Sequence, residues 1–224
     1  PGDSDEKQSV KREMGRQAGQ LLESSLYEDA IVSVTGGSTM AYVSESIHLL
    51  PFNVFFVPAR GGLGENMVYQ ANTIASSMAQ QAGGYYTTLY VPDNVSESTY
   101  NTLMLEPSVS HTLDKIKQAN VTIHGIGDAL KMAHRRQSHK DVIDKLQHHQ
   151  AVGEAFGYYF DAQGHIVHKV KTIGLQLEDL ESKDFIYAVA GGQSKGEAIK
   201  AYLSIAPDNT VLITDEAAAK VILN

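Results

Sequence analysis

Arg60 and Lys195 each stand beside a glycine-rich turn, in Arg60-Gly61-Gly62-Leu63-Gly64 and Gly191-Gly192-Gln193-Ser194-Lys195. Two related turns, Thr35-Gly36-Gly37-Ser38-Thr39 and Gly125-Ile126-Gly127-Asp128, carry hydroxyls or a carboxylate instead. All four follow short apolar runs. Glycine lets a backbone come close to a ligand, and the amides that open a following helix attract anions. A guanidinium or ammonium at the same place adds charge-assisted hydrogen bonds, so the combined chemistry suits a phosphorylated small molecule. Taken singly, each turn has a plainer explanation. The 35–39 turn is equally a tight strand-to-helix connection, Arg60 could pair with Glu65, and Lys195 could be an exposed helix-start residue. The 35–39 turn also lacks the lysine and spacing of a P-loop and the GxGxxG of a dinucleotide fold. It is the coincidence of the first, second and fourth turns that points to an anion site.

Other chemistry-bearing residues are more isolated. Asp128 reads as a helix N-cap in preference to a catalytic base. Glu154 opens a strand, where a carboxylate could accept hydrogen bonds from sugar hydroxyls or be plain surface charge. The nine histidines form no HxH or HExxH pair, and His134 and His139 would not share a helix face, so no metal site is expected. The run Lys131-Met132-Ala133-His134-Arg135-Arg136 reads as a solvated helix end, with a local basic pocket as the alternative. Carboxylates without an evident acid–base partner favour binding over proton transfer. No catalytic residue and no cofactor is expected.

These residues need a scaffold that brings strand ends together. Apolar periodicity predicts a helix over 7–26 and strands at 30–34, 53–57, 85–91, 121–124, 185–190 and 210–214. Helices are predicted from the first turn to about 49, over 66–81, 107–119 and 128–150, from the fourth turn to about 205, and at the end of the chain. A hairpin is predicted over 156–168, turning at 161–164. The alternation implies a mainly parallel sheet with helices on both faces, an α/β fold whose strand ends share one crevice. No linker or repeat divides it, so residues 1–224 are expected to form one domain.

The chain has 224 residues, 42% of them apolar and 20% charged, which suits a globular core. Its net charge of −8 gives no overall attraction for nucleic acid. The absence of cysteine removes disulfides, thiol catalysis and thiolate metal sites together, and fits a reducing cytoplasm. No apolar run approaches the roughly 20 residues of a membrane span. No signal peptide is recognised, and a start at Pro1 without methionine is that expected of a fragment.

Several stretches resemble the glycolytic branch of the SorC-type transcriptional repressors. They are Val34-Thr35-Gly36-Gly37-Ser38-Thr39, Phe56-Val57-Pro58-Ala59-Arg60-Gly61-Gly62-Leu63-Gly64-Glu65, Gln70-Ala71-Asn72-Thr73-Ile74, Val121-Thr122-Ile123-His124-Gly125-Ile126-Gly127, Glu154-Ala155-Phe156-Gly157-Tyr158-Tyr159-Phe160 and Ala188-Val189-Ala190-Gly191-Gly192-Gln193-Ser194-Lys195. The resemblance runs from about residue 3 to residue 222. It implies a Rossmann-like three-layer α/β/α sandwich of the sugar-phosphate isomerase, deaminase and CoA-transferase type. The chain would be an effector-binding and oligomerisation domain, and operator DNA would be met only through an N-terminal helix-turn-helix domain that this sequence lacks. The effector would be fructose 1,6-bisphosphate, with related glycolytic phosphates binding more weakly. The assembly would be a cytoplasmic homodimer or tetramer with no membrane partner. By the same resemblance Gly36, Gly37, Ser38 and Thr39 would hold one phosphate, Arg60 and Lys195 would contact phosphate, and Gln70 and Glu154 would hydrogen-bond the sugar. Threonine would also fit at position 38, where serine keeps the hydroxyl. The turn at Gly125 is expected to be structural. The alternative is a sugar-phosphate isomerase or deaminase on the same fold, with Glu154 or Asp128 as base.

Overall fold

The computed structural model describes residues 2–62, 66–93 and 95–224. Leu63, Gly64 and Glu65, with the Arg60–Glu65 pairing considered above, lie outside the described residues. In chain order the elements are α1 (Gln8–Ser25), β1 (Ala30–Val34), α2 (Ser38–Ser44), β2 (Val54–Pro58), α3 (Ala71–Ala82), β3 (Tyr85–Tyr86), α4 (Glu97–Leu103), α5 (Pro107–Gln118), β4 (Val121–His124), β5 (Gly127–Asp128), α6 (Ala129–Arg135), α7 (Lys140–His148), β6 (Gly153–Ala155), β7 (Tyr158–Phe160), β8 (Ile166–Lys169), β9 (Phe185–Val189), α8 (Gly196–Leu203), β10 (Thr210–Ile213) and α9 (Glu216–Leu223).

Six strands form a parallel sheet in the order β10-β9-β4-β1-β2-β3. Successive side chains on a strand point to opposite faces, and the sequence uses both. On β9, Tyr187 and Val189 join Met14 and Leu22 of α1, Met40 of α2 and Ile74 and Met78 of α3 in one core layer. Ile186 and Ala188 face the other layer, with Ile116 of α5, Ile199 and Tyr202 of α8 and Ala218 of α9. Helices therefore cover both faces, as the strand–helix alternation implied.

A second sheet, antiparallel in the order β5-β6-β7-β8, was foreseen only as its β7–β8 hairpin. Its side chains alternate too. Tyr158 and Phe160 enter the α5–α8 layer, whereas Tyr159 packs the other way on Ala129, Ala133 and Leu146 of α6 and α7. The Asp161 carboxylate accepts the amides of Gln163 and His165 at 2.9 Å each, which fixes the predicted turn. A tighter turn joins β6 to β7 at Phe156 and Gly157, both with left-handed backbone (φ 53° and 88°).

Element boundaries depart from the sequence reading for local reasons. Helix α2 stops at Ser44 and not near 49, where the Ser44 and Ser46 hydroxyls donate to the carbonyls of Ala41 and Tyr42. The helix predicted over 66–81 opens as a 3₁₀ turn, Met67–Tyr69, capped by Asn66. The helix predicted over 128–150 is two, α6 and α7, parted where Gln137 takes a left-handed φ of 52°. The strand predicted over 85–91 pairs only at Tyr85 and Tyr86. Beyond it the Leu89 amide and carbonyl bond the Asn72 side chain, and the Gly62 amide donates to the Val91 carbonyl. That detour brings Asp93 beside Arg60. Gly61 permits it, because a Cβ there would stand 2.6 Å from the Val91 carbonyl oxygen.

Candidate functional site

The sheet order sets the C-terminal ends of β9, β4, β1 and β2 side by side, so the four glycine turns follow one edge. All four reach one cavity of about 170 Å³, the fourth through Lys195 alone. Every residue singled out as a binding candidate lines it: Gly36, Gly37, Ser38, Thr39, Arg60, Gln70, Glu154 and Lys195. The turn at Gly125, read as structural, is there as well, with Gly125, Ile126, Gly127 and Asp128 all on the wall. Asp128 is the helix N-cap it was expected to be, its carboxylate accepting the Lys131 amide at 2.8 Å.

One wall is a closed ring of charge. Asp93 grips Arg60 with both oxygens, at 2.6 Å to Nε and 2.7 Å to Nη2. Asp93 Oδ2 also accepts Arg136 Nε at 3.2 Å, and Arg136 Nη2 donates to Glu154 Oε1 at 2.8 Å. Arg60 Nη1 reaches the same Glu154 oxygen at 3.4 Å and closes the circuit. Two arginines and two carboxylates cancel. All four side chains are buried, with exposures of 8% for Arg60, 2% for Asp93, 1% for Arg136 and 4% for Glu154. Arg136 Nη1 donates to the Tyr159 hydroxyl, and the Gly157 amide donates to Glu154 Oε1 at 2.6 Å. Burial opposes ionisation of Glu154, but Arg136, Arg60 and the Gly157 amide outweigh it and hold the carboxyl below its ordinary range. The second oxygen, Oε2, faces Gly127, where an added Cβ would come within 3.4 Å of it.

The opposite side carries cationic side chains. Lys131 and Arg135 of α6 line the cavity with Lys195. Lys131, His134 and Arg135 are exposed at the end of α6, as the reading of a solvated helix end has it; Lys131 and Arg135 also line the cavity, and Arg136 turns into the ring. Among the described residues the lysines in ion pairs are Lys169, Lys171 and Lys220; Lys131 and Lys195 are not among them. Burial lowers the pKa of Lys195; Lys11 and, more weakly, Lys131 and Arg135 act the same way, and Asp5 opposes them. Crowding of like charge around a half-buried ammonium is what an anion would relieve.

The turns differ in what they leave open. In the 191–195 turn the backbone amides are taken by the chain's own carboxylates: Gly192 donates to Asp215 at 2.8 Å, Gln193 to Asp3 at 3.3 Å and Ser194 to Asp5 at 2.9 Å. Gly192 (φ 100°) admits this, since a Cβ would lie 2.4 Å from Asp5 Oδ1. The fourth turn therefore offers the cavity its lysine and not its amides. In the 35–39 turn the Gly37 amide donates to the Tyr69 carbonyl at 2.8 Å, while no side chain caps α2. Beneath the third turn His124 is fully buried and neutral. Its pKa falls to about 4 through burial, with Nδ1 on the Gly125 carbonyl at 3.1 Å and Nε2 on the Tyr202 hydroxyl at 2.9 Å. Phe156, on the cavity wall, packs on that imidazole at 4.8 Å between ring centres.

Glycine turns at parallel strand ends, a sugar-sized cavity and cations for an anionic group define a small-molecule-binding α/β domain. All 224 residues match the family described as "Putative sugar-binding domain", and the chain belongs to this family of SorC-type regulator domains. It is 49% identical over 222 residues to the central glycolytic genes regulator of Priestia megaterium and 48% identical over 224 residues to that of Bacillus subtilis. Those matches cover 98% and 99% of this chain but 65% and 66% of the regulators, so the chain spans just under two thirds of their length. The crystal structure of a SorC family transcriptional regulator from Enterococcus faecalis superposes with a TM-score of 0.93 at 44% identity, covering 100% of this chain and 92% of that one. The three-layer α/β arrangement expected from the resemblance is thus that of solved SorC-family sugar-binding domains. Among the described residues no helix is long and apolar enough to cross a membrane.

Proposed function

We propose that this chain is the effector-binding and oligomerisation domain of a cytoplasmic transcriptional repressor of central glycolytic genes, and that fructose 1,6-bisphosphate fills its cavity. The observation that carries the reading is the pairing, in one cavity, of a charge-neutral hydrogen-bonding wall with crowded cations. Gly36, Gly37, Ser38 and Thr39 take one phosphate through hydroxyls and backbone. Lys195 takes the other, joined by Lys131 and Arg135. Gln70 and Glu154 meet the sugar hydroxyls, Glu154 through its second oxygen. Arg60 adjoins the sugar and a phosphate with its charge already matched by Asp93.

Binding without turnover is the consistent chemistry. A carboxylate held below its ordinary pKa by two arginines is a weak proton acceptor, which counts against Glu154 as an isomerase base. Asp128 is committed to capping α6. The regulatory step follows from linkage: a ligand shifts an equilibrium between two arrangements only by its differential affinity for them. The bisphosphate would favour one arrangement of a homodimer or tetramer and weaken operator binding by an N-terminal reader domain in the full-length protein. Calorimetry with fructose 1,6-bisphosphate, beside turnover assays with fructose 6-phosphate, glucosamine 6-phosphate and ribose 5-phosphate, tests it. Saturable binding without turnover supports the sensor; turnover above background would replace it with the enzyme. Operator affinity of the full-length protein, unchanged by the bisphosphate, would remove the regulatory step.

A further inference from the structure

Arg60 and Glu154 line the cavity, whereas Asp93 and Arg136 stand behind them and do not. We infer that Asp93 and Arg136 are positioning residues that set ligand selectivity, by keeping this wall neutral so that it accepts hydroxyls and disfavours a further ionised group. The inference rests on the sugar-phosphate reading above and deepens it.

Each member of the ring fixes the next. Arg60 is held by a fork–fork contact to Asp93, so its guanidinium plane is set from behind. Glu154 Oε1 accepts Arg136, Arg60 and the Gly157 amide together, which leaves Oε2 as the acceptor turned toward Gly127 and the cavity. Buried side chains screened by so little water feel each unit of charge strongly. Two positive and two negative groups present an anion with no net attraction. An acceptor and guanidinium N–H groups nonetheless remain to bond a neutral polyol. Loss of one charge would tip the wall: positive without Asp93, negative without Arg136.

Glucose 6-phosphate and 6-phosphogluconate probe this, because they share a phosphate and differ by a carboxylate in place of a neutral carbonyl centre. The readout is the ratio of their affinities, measured by calorimetry on the wild type, Asp93→Asn, Arg136→Gln and the double variant, each checked for folding by circular dichroism. Asp93→Asn is expected to move the ratio about tenfold toward 6-phosphogluconate, and Arg136→Gln to move it the opposite way by a similar factor. The double variant restores neutrality and with it the wild-type ratio, and if one single variant does not fold the other carries the test. A merely structural role would weaken both ligands together and leave the ratio fixed in every variant, which overturns the assignment to Asp93 and Arg136 alone. Failure of the wild type to bind any sugar phosphate would overturn the parent reading and this one with it.

Discussion

Arg60 on one side of the cavity and Arg136 behind it lie in ion pairs, whereas Lys131 and Lys195 on the other side are in none of the ion pairs among the described residues. The arginines are sealed against carboxylates at distances down to 2.6 Å. Their charge is spent inside the protein, and what they give the cavity is fixed geometry. Burial holds the Lys195 ammonium less firmly protonated, and the neighbouring Lys11, Lys131 and Arg135 add to that against Asp5. A buried ion pair completed by its own chain is a rigid part, whereas a half-buried lysine crowded by other cations is a place an anion would stabilise. Under the proposed function, the phosphates belong to the Lys195 side and the first glycine turn, and the sugar hydroxyls to the ring.

The strongest way to break this comparison is to open the ring. Arg136→Ala leaves Asp93 and Glu154 short of a buried counter-charge and is expected to cost about 3–5 kcal/mol of folding stability in urea denaturation. Arg60→Ala should behave similarly, so its loss of ligand binding reports the fold as well as the contact. A cost near zero in both would mean that the ring is not the rigid half. His124 belongs with that half. Its folded pKa of about 4 lies below the ordinary 6.5, so the unfolded chain binds the extra proton. The stability it contributes is fully present above pH 6.5 and falls as pH drops toward 4, by roughly 3 kcal/mol over that window. His124→Gln should remove that part of the acid dependence in urea titrations from pH 7 to 4; an unchanged slope would place the acid sensitivity elsewhere.

Smaller effects belong to the cationic side, and they should appear in binding, not stability. Lys195→Ala is expected to weaken fructose 1,6-bisphosphate binding by about 1.5–3 kcal/mol, the scale of a charged hydrogen bond, with the melting temperature unchanged. Binding by the ammonium form also makes affinity decline as pH rises through the lowered pKa of Lys195, and calorimetry should detect proton uptake there. Lys131→Ala should cost least, about 0.5–1 kcal/mol, and should fade as salt rises from low to physiological strength. Equal losses in stability from the lysine and arginine variants would erase the distinction between the two sides.

The lysine side was half legible in the sequence, and the ring was not. Strand–turn–helix punctuation placed β1, β2, β4 and β9 and their glycine turns, because continuous apolar runs and glycine pairs are local signals. Lys195 and Arg60 could be picked out for the same reason. The ring joins residues 33 and 94 apart in sequence, and Asp93 carries no local mark beyond its place after Pro92. Arg135 and Arg136 were visible as neighbours on a helix. Adjacent helical positions face different ways by about 100°, which is the signal that only one of them could be solvated with Lys131. Helix α4 was missed altogether. It has no buried residue, so it lacks the apolar stripe that periodicity detects.

A crystal structure of the chain with fructose 1,6-bisphosphate tests the central claim most directly. The account expects one phosphate within hydrogen-bonding distance of Lys195 Nζ, the other against residues 36–39, and the Arg60–Asp93 and Arg136–Glu154 pairs intact beside the sugar hydroxyls. A phosphate seated on Arg60 in place of Asp93, with Lys195 untouched, would contradict it.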